Sequence, residues 1–169
     1  MDKNNFQRVG SISNAHVGRD FESVAQEYFR QIGVSLEANF PVPLGVASET
    51  KNRKFDLGSA DPPILVECKS HRWTAGGNIP SAKITVWNEA MYYFHLAPRE
   101  YRKVLFVLKD YSDKRHESLA AYYVRNYGHL VPGDVEILEY DEPSGDISAV
   151  LTTASTGAGF SAGAPKPAG

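Results

Sequence analysis

Two acids and an amine stand out by type and spacing: Asp56, then Glu67-Cys68-Lys69 after ten intervening residues. Carboxylates are hard oxygen donors suited to magnesium. The chemistry open to such a set is the binding of a divalent cation, whose shell water and a substrate phosphate complete. It requires all three side chains on one surface, so the elements that carry them come next.

From Lys54 to His71 two apolar runs flank a turn of Asp61, Pro62 and Pro63, the pattern of a β-hairpin. Counting outward from a turn centred between Asp61 and Pro62 pairs Leu57 with Val66, Asp56 with Glu67 and Phe55 with Cys68. Directly opposed residues share a face with Cβ atoms roughly 5 Å apart, which makes Asp56 and Glu67 neighbours. Period-two alternation adds Lys69 and His71 to that face and sends Ile64, Val66 and Cys68 to the other, where Cys68 suits a buried small hydrophobe. Opposed carboxylates repel unless a cation lies between them, and Mg²⁺, with Mn²⁺ as a substitute, fits that place.

These residues resemble the Asp…Glu-x-Lys signature of the PD-(D/E)XK nuclease superfamily, with Phe55 standing where the family carries proline. The resemblance spans roughly Gly18 to Lys109. It implies an α/β restriction-endonuclease-like core, a central mixed β-sheet flanked by helices in αβββαβ order. The implied activity is metal-dependent hydrolysis of phosphodiester bonds, above all as a DNA endonuclease. Asp56, Glu67 and the backbone carbonyl of Cys68 would hold the metal and Lys69 would orient the attacking water. In that superfamily the helix before the hairpin often supplies a further acid, which makes Glu22 a candidate for both the metal and the catalytic set. A polar or basic residue near the start of the next helix commonly faces the site, which singles out Lys83. His71, on the face of Glu67, and Arg72, in the segment after it, are candidate substrate contacts. Two other readings stay open: a non-catalytic nucleic-acid- or protein-binding module that keeps the fold, and a plain surface cluster in which Lys69 bridges two acids.

The chain of 169 residues, 42% hydrophobic and 22% charged, suits one globular domain. It contains no apolar run long enough for a membrane helix, and its polar start lacks a signal core; with the single Cys68, a cytoplasmic location is expected. One cysteine also excludes a thiolate zinc cluster. A net charge of −2 gives no global pull toward nucleic acid. Local Lys and Arg can still supply phosphate contacts. A homodimer is plausible for cutting both strands of a duplex.

In chain order, residues 1–17 read as a polar arm. Phe21, Val24, Ala25, Tyr28, Phe29 and Ile32 then mark an amphipathic helix that Gly33 ends. Glu22 lies in its first turn, where an acid also complements the helix dipole. Val34 to Leu44 reads as an edge strand because of Pro41 and Pro43. A loop carrying Lys51, Arg53 and Lys54 follows, its basic residues either solvated surface or phosphate contacts. Ser70 to Asn78 reads as a flexible loop, a connector or a segment that moves over a ligand. A helix starts at Pro80-Ser81 and buries Ile84, Trp87, Met91 and Phe94. Arg102 to Lys109 reads as a strand buried on both faces. A third helix over Ser118 to Tyr127 and a hairpin of Val135–Tyr140 with Ile147–Leu151 complete a domain over 18–151. From Thr152 the Gly, Ala, Ser and Pro composition predicts a flexible tail.

Overall fold

The computed structural model describes residues 10–153, with side chains from Asp20 onward. Helix α1 (Gly10–Gln31) leads into three antiparallel strands, β1 (Glu37–Leu44), β2 (Lys51–Ala60) and β3 (Pro63–Lys69). Helix α2 (Ser81–Leu96) returns the chain to β4 (Arg102–Leu108). A short hairpin, β5 (Tyr111–Ser112) and β6 (Glu117–Ser118), precedes α3 (Leu119–Tyr127); β7 (Val135–Tyr140) and β8 (Ile147–Leu151) close the chain. One mixed six-stranded sheet results, in the order β1-β2-β3-β4-β7-β8, with β3, β4 and β7 parallel.

The sheet separates two cores. Phe21, Ala25 and Phe29 of α1 pack with Leu57, Ile64, Val66, Val104, Phe106 and Leu138 on one side. Ile84, Trp87, Met91 and Phe94 of α2 and Leu119, Ala120 and Tyr123 of α3 pack with Leu65, Leu105, Val107 and Ile137 on the other. Strand β4 contributes alternately to both, which is why its sequence is an unbroken apolar run. Each fully buried Leu, Ile or Phe there contributes about 1.5–3 kcal/mol. The outermost position of β1 explains Pro41 and Pro43, since a missing N–H costs least on an edge.

Three expectations change. The first helix begins at Gly10 rather than Gly18. Its added turns are rich in Gly, Ser and Asn, with Ile12, Ala15 and Val17 too sparse to mark a stripe; the expected arm keeps only residues 1–9, which lie outside the described residues, as does the tail beyond residue 153. Lys51, Arg53 and Lys54 belong to β2, not to a loop. The segment after β3 is fastened rather than loose. The Trp73 amide donates to Asp110 Oδ2 at 2.7 Å and its indole N–H to the Asp110 carbonyl at 3.0 Å, while the Arg115 guanidinium lies 5.1 Å from the Trp73 ring centroid.

Candidate active site

The hairpin register agrees with the outward count as far as Leu57↔Val66, and there the ladder ends. Phe55 and Leu57, two apart on β2, pack into opposite cores. Along β1 the same exchange separates Leu36, just before the strand, from Val42. Asn39, between the pairs Ala38↔Leu57 and Phe40↔Phe55, has φ 55°, a left-handed conformation that asparagine tolerates. Both strands therefore roll over at the level of Asp56, and β2 lifts away from β3. A backbone N–H left there must find an acceptor: the Cys68 amide donates to Asp56 Oδ2 at 2.7 Å. Asp56 and Glu67 thus meet without being ladder partners, and Phe55 faces the core opposite to that of Cys68.

Lys69 joins the two acids. Its Nζ lies 2.7 Å from Glu67 Oε2 and 3.4 Å from Asp56 Oδ2. Glu67 is almost wholly enclosed, at 1% exposure, while Asp56 keeps 27% of its side chain open. Burial lifts the Glu67 carboxyl above the ordinary range, opposed by Lys69 and reinforced by Asp56. Burial pushes Lys69 down, but the Glu67 and Asp56 carboxylates outweigh it and hold the ammonium's pKa above its usual value. Lys69 is therefore a cation at neutral pH.

Glu67 has a second cation. Arg53 Nη2 donates to its Oε1 at 3.2 Å, and the guanidinium stacks 4.4 Å from the Tyr93 ring centroid. Neither contact is visible in the local sequence pattern. Parity points the other way, because Arg53 shares its side of β2 with Phe55, which the uninterrupted count places on the face opposite to that of Glu67.

The remaining candidates fall around this centre. The Cys68 side chain packs with the α1 core, and its thiol pKa is driven well up by burial first and then by Asp56, Glu22 and Glu67, with Lys69 opposing. Glu22 is thus near enough for its charge to reach Cys68. His71 Nδ1 accepts from the indole N–H of buried Trp87 at 2.8 Å, so the neutral ring carries its proton on Nε2. Burial, Lys83 and Lys69 lower its pKa to about 4. Lys83, in the first turn of α2, faces the same neighbourhood. Arg72 is drawn away from the acids, to Glu142 at 2.8 Å and Asp110 at 3.5 Å.

The donors, two carboxylates beside a strand-end carbonyl, are the hard oxygens that Mg²⁺ takes. Among the described residues no three His, Cys, Asp or Glu side chains are gathered as a metal site. Metal held here would rest on two carboxylates and the Cys68 carbonyl, with Arg53 or Lys69 yielding room. The location suits ligand binding, since Lys69 ends β3 at the carboxyl edge of the parallel strands, where open α/β sheets hold their ligands. A cleft of about 370 Å³ opens instead along the other end of α2, against Met91, Tyr92, His95, His129 and Leu130, and its lining holds no acid. Among the described residues no helix is long and apolar enough to cross a membrane. Compared with family models, with curated proteins and with solved structures, the chain matches none of them.

Proposed function

We propose that the protein is a metal-dependent nuclease of the PD-(D/E)XK type, hydrolysing phosphodiester bonds, with DNA as the first substrate to test. The observation that carries this reading is the meeting of Asp56 and Glu67 on one ammonium, Lys69 Nζ, at 3.4 and 2.7 Å. Stability alone gives no reason for it. Enclosing an ionised carboxylate costs several kcal/mol, and a buried ion pair often does no better than apolar side chains of the same size. The order helix, three antiparallel strands, helix, parallel strand also resembles the restriction-endonuclease-like core.

Asp56 and Glu67, with the Cys68 carbonyl, would hold Mg²⁺ or Mn²⁺, and Glu22, whose charge reaches Cys68, is a further candidate acid. The bound ion supplies Lewis-acid polarisation of the phosphoryl oxygen and lowers the pKa of an attacking water. Lys69, kept protonated by its two acids, donates to the phosphate as negative charge grows there and fixes the water's orientation. His71, neutral and protonated on Nε2, can donate a hydrogen bond but cannot take a proton at that atom.

A second reading, a binding module without catalysis, is favoured by one fact: Glu67 is already paired with Lys69 and Arg53. The purified chain, incubated with plasmid, single-stranded DNA and RNA in Mg²⁺, Mn²⁺ or chelator, separates the two. The nuclease reading expects new ends that disappear with chelator and in folded Glu67→Gln and Lys69→Met variants. Cleavage indifferent to both variants refutes it, and a mobility shift with no new ends at any metal concentration selects the module.

A further inference from the structure

We propose that Arg53 is a phosphate-binding residue of this site, one that holds Glu67 in the absence of metal and turns to a phosphate of the nucleic-acid strand when a divalent cation takes its place. The proposal rests on the nuclease reading and adds to it a residue outside the signature.

The first observation is an unfinished fork. In Arg30, Arg102 and Arg125 the edge formed by Nε and Nη2 is spent whole on one carboxylate, that of Glu27, Glu136 and Glu117 respectively. Arg53 uses only Nη2, on Glu67 Oε1 at 3.2 Å. Its Nε is buried and has no hydrogen-bond partner among the described residues. A buried N–H without an acceptor is destabilising, so this edge is an incomplete receptor for a group with two oxygens. Glu67 does not complete it, because its other oxygen is bound to Lys69 at 2.7 Å.

The second observation is charge. Asp56, Glu67, Lys69 and Arg53 cancel among themselves. A divalent ion on the two acids leaves these four side chains and the ion with a double positive charge, and it competes with Arg53 for Glu67. A phosphodiester brings negative charge and two unesterified oxygens, the geometry that a guanidinium edge grips in bidentate fashion. Tyr93 keeps the plane stacked at 4.4 Å, so the fork stays beside the site when Glu67 releases it. Lysine would supply the charge without the edge.

The test uses the full chain, a fluorescein-labelled duplex and a single-stranded oligonucleotide, with anisotropy in Ca²⁺, cleavage in Mg²⁺ and calorimetric titration of Mn²⁺ alone. In Arg53→Met, whose stem still covers Tyr93, duplex affinity is expected to fall about ten- to a hundredfold. The slope of log K against log salt should fall by about 0.9, one phosphate contact on a duplex, while Mn²⁺ binds more tightly for want of its competitor. Arg53→Lys should restore the slope and only part of the affinity. Opposite movement of DNA and metal affinity is a result that a merely structural role would not give. Wild-type affinity and slope in Arg53→Met overturn the proposal, as does weakening of DNA and Mn²⁺ together. Cleavage by the wild-type protein alongside an unchanged Arg53→Met overturns this inference alone. A wild-type protein that neither cuts nor binds either probe overturns the nuclease reading and this inference with it.

Discussion

Removing the Lys69 ammonium tests whether the acid pair is held for stability or for chemistry. At an effective dielectric constant of about 20, an ammonium 2.7 Å from a carboxylate oxygen attracts it by about 6 kcal/mol, and a guanidinium at 3.2 Å by about 5 kcal/mol. Desolvation of each buried ion offsets several kcal/mol of this. Breaking a buried pair from one side typically costs about 3–5 kcal/mol, and Arg53 remains for Glu67, so Lys69→Met should lose about 3 kcal/mol. That corresponds to a fall in Tm of about 6–12 °C for a domain of this size. In the double variant Glu67→Leu/Lys69→Met the most enclosed acid and its ammonium go together, leaving the more open Asp56 and Arg53, and stability should recover most of the deficit of the single variant while any cleavage stays lost. Urea unfolding followed by the fluorescence of the buried Trp73 and Trp87 measures both. The deficit of Lys69→Met also depends on pH. Without its ammonium Glu67 holds its proton more tightly in the fold than in the unfolded chain, whose carboxyl titrates near 4.5. The folded state then binds the extra proton between 4.5 and the raised value, so stability falls as pH rises through that window. An unaltered denaturation midpoint in Lys69→Met, or a double variant as weak as the single one, refutes the reasoning.

Two further predictions concern the neighbours. The His71 imidazole, ordinarily near 6.5, should titrate by NMR at about 4, and Lys83→Ala should move it back upward. Because the fold favours the neutral ring, its contribution to stability is present above 6.5 and lost as pH falls toward 4, a dependence that His71→Gln should remove. Gly58→Ala places a Cβ 2.6 Å from the Phe40 ring and 2.7 Å from its Cβ, so the strands must shift; a loss of about 1–3 kcal/mol is expected, and an unchanged unfolding midpoint would contradict the close approach.

What could be read from sequence was local. The apolar stripe of α2, the unbroken run of β4 and the closing hairpin follow from periods of 3.6 and two that a packed sheet has to respect. The meeting of Asp56, Glu67 and Lys69 was legible because a turn fixes the register beside it. Period-two counting assumes a ladder that continues, however, and so misses the roll-over at Asn39 and Asp56. With it go the Cys68 N–H bond to Asp56 and the reach of Arg53 to Glu67 across two strands. The fastening of Trp73 joins residues 37 positions apart, to Asp110, and no local composition records that. Arg72 was legible only as a base near the acids; its partners Asp110 and Glu142 lie on loops that the parallel strands bring alongside.

The exchange of cores along β1 and β2 makes insertions unequal in effect. An extra residue at the Asp61-Pro62 tip lengthens a bend that both strands share and leaves each side chain facing as before. The same residue placed between Asp56 and Leu57 would carry the acid to the wrong side while every apolar position nearer the tip kept its seat. The same shift would turn Phe55 out of the core it shares with α2, so such a protein should lose stability together with the meeting of Asp56 and Lys69.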